Sequence, residues 1–496
     1  MMKAKKIFRK IIACVLLAVM LTGSVSAASY TAGAKELDAL GLFDSTKDGY
    51  DLDREVTIAE AIVMFVRLLG KEAEAKEMNY KHPFTNVPDW ADAYVGYFYH
   101  YAYGNNFIDD EMYWDEFYLD GECYAEDFCA LILLALGYSD EALDYDNILD
   151  FAEEIGIIDD SMYISSYWFT RDDCVALMYN ALNIKIKGTN TTLLDKLVAD
   201  KAVDRKAAKN FKEKNAAVAD LNKSLQSSIM ATMAAVTDQP FNMSFDISVY
   251  IPAYEFSFED EIAQMLEDEG YDLEDMTEWL AEYNIPEIDL KLKMSISVIG
   301  EEIAVVISVD YMDISGDISV YYTGGYAYID YMGEKKIKYE IDPEEMAIGN
   351  LFADFGIFDI EDIIGALPGI PAAGIDDISK IVTNKNIFYK IGIKEDSGDG
   401  YSVDGAMDIV FNRAGGEFSS FNIRAKISLD DMLPYFKNYY IKLQIGAKLI
   451  TGAKVKLNFP DFADYIEIDE EDIFSLLENL ENSMELSDLS DLFYLF

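Results

Sequence analysis

Ninety-one carboxylates but only two histidines and four cysteines bound the chemistry that this chain of 496 residues can do. His82 and His100 are too few for a histidine-based metal or nucleophilic site. Cys14 lies in an N-terminal apolar run. Cys123, Cys129 and Cys174 form an odd set, two of them inside repeated helices where small apolar side chains belong, so they read as buried thiols rather than a disulfide framework. With so many Asp and Glu, carboxylate pairs arise by chance, and no pattern places two of them beside a nucleophile or a histidine. Asp396 to Gly405, DSGDGYSVDG, spaces acids and glycines somewhat as a calcium loop does but lacks the full ligand series and terminal glutamate; a hairpin turn is the better reading. The expectation is a non-enzyme with no catalytic residues, metal ligands or cofactor.

The spacing that does repeat is structural. LDREVTIAEAIVMFVRLLG (Leu52 to Gly70), YAEDFCALILLALG (Tyr124 to Gly137) and TRDDCVALMYNALN (Thr170 to Asn183) begin a helix in nearly the same way. Ala61, Phe128 and Cys174 fall at one position, and Leu69, Leu136 and Leu182 at another. Thr57 can cap the first helix while Glu60, three residues on, reaches back to the Thr57 amide, a capping box. Thr170 with Asp173 keeps a shorter form of it, and Tyr124 with Asp127 a weaker one. Each copy follows a short helix ending in Gly and apolar residues, then a loop and an extended aromatic segment. The unit recurs over about 34–70, 90–137 and 146–183, the middle one opened by HPFTNVPDWADAYVG (His82 to Gly96).

These motifs resemble the S-layer homology (SLH) family, whose units carry an F-x-D-V-x-x-W-A opening, a Gly-Ile/Leu turn and a Thr-Arg-Ala-Glu helix start. The resemblance covers residues 34–183, extending to about 200. It implies an all-α pseudo-trimer that attaches an exported protein to a cell-wall secondary polysaccharide, often pyruvylated, through grooves between units. The candidate polymer-binding residues are then Thr57, Glu60, Trp90, Thr170, Arg171 and Asp173; the structural alternative is that the caps and Trp90 simply hold helices together. In the family the motif arginine faces the anionic polymer, a role suited to a planar guanidinium. Here Ile58 and Ala125 replace it in the first two copies and only Arg171 remains; Asn86 replaces an aspartate. The implied attachment is weaker than that of an intact triplet and concentrated at Arg171.

The elements around these motifs divide the chain. Residues 1–27 join a basic start, MMKAKKIFRK, to an apolar run and a Val-Ser-Ala end, which reads as a secretory signal peptide in preference to a membrane anchor because the run is too short to span a bilayer. Loss of the five basic residues Lys3, Lys5, Lys6, Arg9 and Lys10 would take the formal charge from −51 to −56. Such acidity argues against nucleic acid and anionic membrane surfaces as partners of the whole chain. It suits solubility through self-repulsion, or a medium rich in divalent cations. The SLH-like units occupy 28–187. Residues 188–238 read as a helical connector, part of a stretch with ten basic and five acidic residues between Ile184 and Lys223.

From Asn242 the apolar period becomes two: NMSFDISV, IDLKLKMSISV and about eight further segments predict a curved antiparallel sheet over 239–470, with helical insertions near Glu259–Tyr283 and Pro343–Leu367. One apolar sheet face needs cover, which the helix Ser224–Val236 and the insertions can give. This order weakly resembles the half-barrel of lipoprotein carriers and related cell-envelope lipid-binding proteins, which implies a hydrophobic ligand. The Tyr and Met content of the segment fits either a ligand cavity or plain sheet packing. Residues 471–496 form an acidic amphipathic tail. The fold class expected is therefore multidomain, an all-α SLH pseudo-trimer, a helical connector and a β-rich half-barrel. The function expected is non-enzymatic: a secreted cell-wall protein presenting a β-rich binding domain, with no transmembrane span after signal cleavage. The alternatives are a lipid or hydrophobic-ligand carrier and a structural surface-layer subunit.

Overall fold

The computed structural model describes residues 30–46, 49–104, 119–142, 144, 147–159, 162, 164, 168–253, 287–311, 314–340, 370–396, 402–428 and 439–468. The segments read as signal peptide (1–27), as helical insertions (Glu259–Tyr283 and Pro343–Leu367) and as tail (471–496), with residues 397–401, lie outside them.

The first part is helical: α1 (Thr31–Ala39), α2 (Ile58–Leu68), α3 (Glu72–Met78), α4 (Asp92–Gly104), α5 (Ala125–Ala135), α6 (Ser139–Ala142), α7 (Ile148–Glu154), α8 (Arg171–Ala181) and α9 (Leu193–Ala199). The repeated helices are α2, α5 and α8, and their equivalent positions are the centre of one core: Ala61, Phe128, Cys174, Leu136 and Leu182 are fully buried, with Leu69 8% exposed. α2 and α5 stop the same way. Gly70 and Gly137 adopt positive φ (73° and 83°), and the next amides, Lys71 N and Tyr138 N, reach back to Val66 O and Leu133 O. Left-handed backbone without a Cβ penalty is what lets those last carbonyls be capped. Gly41 and Gly156 end α1 and α7 in the same way, delivering Leu42 and Ile157 into the core.

α10 (Arg205–Asp238) runs for 34 residues, capped at Asp204 by amides of Lys206 and Ala207. The sequence suggests an exposed connector up to about Lys223, with Ser224–Val236 as cover for the sheet; the structure draws the earlier stretch too into two cores. Ala208 and Phe211 are buried with the helical bundle, whereas Val218 and Leu221 are buried against Tyr389, Ile391 and Phe411 of the sheet. An apolar stripe on an otherwise Lys-rich helix is enough for this, because each turn need supply only one buried residue.

The sheet has twelve strands: β1 (Phe241–Ile251), β2 (Ile288–Ile299), β3 (Glu302–Tyr311), β4 (Ile314–Thr323), β5 (Tyr326–Tyr331), β6 (Lys335–Glu340), β7 (Asp377–Val382), β8 (Asn386–Asp396), β9 (Ser402–Asn412), β10 (Phe418–Ser428), β11 (Tyr440–Thr451) and β12 (Ile466–Glu467). Their order is β12-β6-β5-β4-β3-β2-β1-β11-β10-β9-β8-β7, antiparallel throughout except where β12 joins β6 in parallel. β1 sits in the middle, so the sheet is two meanders fused when β11 returns to pair with it. β8 and β9 pair out to Asp396 and Ser402, and the part of DSGDGYSVDG between them, 397–401, lies outside the described residues.

Register puts the alternating residues on two distinct faces. Phe245 lies opposite Met294 and Ala447, Met294 opposite Ile307, and Ile307 opposite Ile318, so one face is apolar across the sheet. α10 covers its β7–β10 side. The other face is polar, and after β11 the chain crosses it over β4 and β5, where Phe462 stacks on Tyr328 at 3.8 Å between ring centroids and Phe459 meets Tyr321 edge-on.

Candidate functional site

The three capped helix starts meet. Thr57 N donates to Glu60 Oε2 (3.0 Å) while Glu60 N donates to Thr57 Oγ1 (3.3 Å), and Thr170 with Asp173 repeats both bonds at 2.8 and 3.4 Å. In the middle copy only the carboxylate half remains, Tyr124 N to Asp127 Oδ2 at 3.1 Å. A further Thr-x-x-Asp cap, Thr192 with Asp195, starts α9; its spacing is legible in the sequence once the repeat is known.

The residue just before each cap lies in a short extended segment, and these segments pair. Glu55 bridges Thr170 and Thr57 bridges Glu122, both antiparallel. The bonds are Val56 N to Phe169 O (3.3 Å), Cys123 N to Val56 O (2.9 Å), Ile58 N to Gly121 O (3.0 Å) and Arg171 N to Arg54 O (3.0 Å). The first copy is thus the central strand of a three-stranded hub. Alternation then sorts the side chains. Val56, Cys123 and Phe169 point inward and are 1%, 3% and 3% exposed. Glu55, Thr57, Glu122, Tyr124, Trp168 and Thr170 share the outward face, where register sets Trp168 beside Thr57 and Tyr124 beside Glu55. Trp168 is 70% exposed and Tyr124 46%.

Arg171 does not join that face. It is 5% exposed, and its Nε donates to Tyr50 O (3.0 Å), Nη1 to Glu60 Oε1 (3.1 Å) and Nη2 to Asp44 O (2.9 Å), with the guanidinium 4.6 Å from the centroid of Phe43. It ties the third helix start to the loop of the first unit. Arg54, at 40% side-chain exposure, takes the more open position: its Nη1 and Nη2 grip both Glu60 oxygens (3.1 and 2.7 Å) and its Nε bonds Asp51 (2.7 Å). No family-derived position pointed to Arg54; a basic residue three before the cap was the available signal. Trp90 is 56% exposed but elsewhere. One turn beyond it, Tyr94 bonds Glu72, past the far end of α2, so roughly 15 Å of helix separates it from the caps.

The two equivalent cap carboxylates titrate oppositely. Burial pushes both up, but at Glu60 the hydrogen bonds from Arg54 and the Thr57 amide, with the charges of Arg171 and Arg54, outweigh it and hold the group below its ordinary value. Asp173 has only Thr170 to offset burial and lies above its ordinary value. Burial likewise lowers Arg171 and raises the thiols of Cys123, Cys129 and Cys174, that of Cys129 up to about 12. The thiols are free, buried and protonated at neutral pH. Among the described residues no three His, Cys, Asp or Glu are grouped to hold a metal ion. No helix among them is long and apolar enough to cross a membrane.

No protein-family model matches the chain, and a search of curated proteins finds no match either.

Proposed function

We propose that the protein is a non-enzymatic, exported cell-envelope component that holds wall polysaccharide on its hub and presents the sheet as a binding domain. The observation that carries this is the outward hub face: two exposed aromatic rings, Trp168 and Tyr124, flank hydroxyl and carboxylate groups contributed by all three repeats. Sugar rings offer apolar C–H faces edged by hydroxyls, so a ring face beside fixed acceptors suits them, and an aromatic loses little conformational entropy in supplying it. Of the two arginines at the helix starts, Arg54 is the one an acidic substituent can reach, at 40% side-chain exposure against 5% for Arg171, with its donors shared among Asp51, Glu60 and the Glu55 carbonyl.

Co-sedimentation of the full chain with purified cell-wall sacculi tests the proposal. Trp168→Ala combined with Tyr124→Ala should abolish it without altering the circular dichroism spectrum. Equal co-sedimentation of parent and double variant would sink the reading.

A second reading, hydrophobic-ligand carriage, draws on the apolar face continuous from β5 across to β8. Native mass spectrometry of the purified chain, finding co-purified lipid or none, decides whether it stands beside the first.

A further inference from the structure

The polar face of the sheet changes character along its width. The chain as a whole has 91 acidic and 40 basic residues. Across β2, β1, β11, β10, β9 and β8, however, register assembles four rows that reverse that balance: Asp289, Tyr250, Lys442, Lys426, Asp404 and Lys394; Lys291, Ser248, Gln444, Arg424, Ala406 and Gly392; Lys293, Asp246, Gly446, Asn422, Asp408 and Lys390; Ser295, Ser244, Lys448, Ser420, Val410 and Phe388. These 24 positions hold eight basic and four acidic residues, and all eight basic residues are exposed. Acids are about as frequent here as elsewhere in the chain; it is the cations that are concentrated.

Among the described residues few carboxylates neutralise them. Lys291 pairs with Asp289 (2.8 Å) and Arg424 with Asp408 (2.9 Å). Among the described residues the ammonium groups of the other six, all lysines, have no carboxylate within 4.0 Å, although Asp246 stands in register beside Lys293, Asp404 beside Lys394 and Lys426, and Asp408 beside Lys390. Lys426 and Lys442 face each other directly across β10 and β11. Like charges so placed destabilise a sheet, and both ammonium groups instead rest over the Tyr440 ring at 4.8 Å, Lys442 also 5.6 Å from the Tyr250 ring.

We propose that this face is a docking surface for linear polyphosphate. Charge complementarity carries the assignment: seven of the eight cations are lysines, compact point charges that can each meet a separate phosphate group. They are spread on a lattice of about 4.8 Å between strands and about 6.8 Å between rows, which matches repeated charges along a polymer better than one small anion. An acidic molecule would then approach such a polymer by this face, and binding would weaken steeply with salt as counterions are released. The proposal is independent of the hub.

Fluorescence anisotropy of labelled long-chain inorganic polyphosphate with the full chain at low salt is the test. Binding is expected, with a negative slope of log affinity against log salt, and Lys426→Glu with Lys442→Glu should lower affinity by about tenfold or more. Lys293→Glu with Lys448→Glu, on different strands, should act in the same direction, with circular dichroism reporting that each variant is folded. The Trp168 and Tyr124 double variant should bind polyphosphate as the parent does. Absence of binding at low salt, equal binding by folded charge-reversal variants, or equally tight binding of polyglutamate would each overturn the proposal.

Discussion

Thr57 shows how much one hydroxyl does at the hub: it closes a capping box and sits in the central strand between Glu122 and Trp168. Thr57→Ala should lower stability by about 0.5–2 kcal/mol in chemical denaturation, the usual cost of losing such a cap. An unchanged midpoint would mean that the cap carries none of the stability. Glu60 gives a pH prediction. Its folded value is depressed, so its contribution is fully present above the ordinary carboxylate value of 4.5 and is lost as pH falls through the lowered one. Glu60→Gln should therefore destabilise at neutral pH and make the melting temperature fall less between neutral pH and about pH 3 than it does in the parent. Asp173 has the opposite sign. Its raised value means that its ionisation opposes folding, so Asp173→Asn should be better tolerated at neutral pH than Glu60→Gln.

α10 decides how the elements divide. The sequence invites a boundary near residue 200, since the repeats end there and a Lys- and Ala-rich stretch follows. Phe211, 2% exposed, nevertheless completes the helical core, its ring 4.5 Å from that of Tyr179. Phe211→Ala should cost about 3–5 kcal/mol, and a fragment ending at 200 should be less stable than one ending at 216. Equal denaturation midpoints for the two fragments would separate the helix from the bundle. A single aromatic in a charged stretch carries little periodicity, which is why the connector reading misses it.

At the scale of the whole molecule the helical part and the sheet share a junction. Asn222 exchanges two bonds of 3.0 Å with the backbone of Ile370, and the turn Ala372–Gly374 that follows puts Ala373 into the helical core against Gly33. Beside it Tyr179 donates to Glu36 (2.6 Å), Asn215 donates to the Tyr179 hydroxyl (3.0 Å), and Lys214, 8% exposed, has its Nζ 3.1 Å from Glu36. Burial lowers the Lys214 ammonium, so its charge depends on Glu36. Glu36→Ala leaves a buried cation unpaired and should cost about 3–5 kcal/mol. Calorimetry of the parent should show one transition for both parts, because α10 and the 370–376 segment must be lost from both cores together. Two transitions, with Glu36→Ala shifting only one, would show that they unfold separately.

The sequence by itself determined the local terms. The helix starts at Thr57 and Thr170, the glycine stops at Gly70 and Gly137, and the two-residue period of strands such as Met243 to Val249 depend on neighbours a few positions away, so they can be read from order and spacing. The tertiary structure decided which of those residues face solvent. Arg171 carries the motif arginine, yet its donors are taken by Tyr50 and Asp44, more than a hundred positions away in the chain, and this turns a charged side chain inward. Trp168 belongs to the extended aromatic segment before the third helix, and it stands on the exposed face because pairing with the strand before Thr57 fixes its side. Trp90, which does carry the motif, is held at the other end of α2. The cationic face arises the same way: Lys426 and Lys442 become neighbours only through the register of β10 with β11. Long-range pairing sets both the sign of a surface and the direction of a side chain, since shifting a strand by one residue exchanges its two faces.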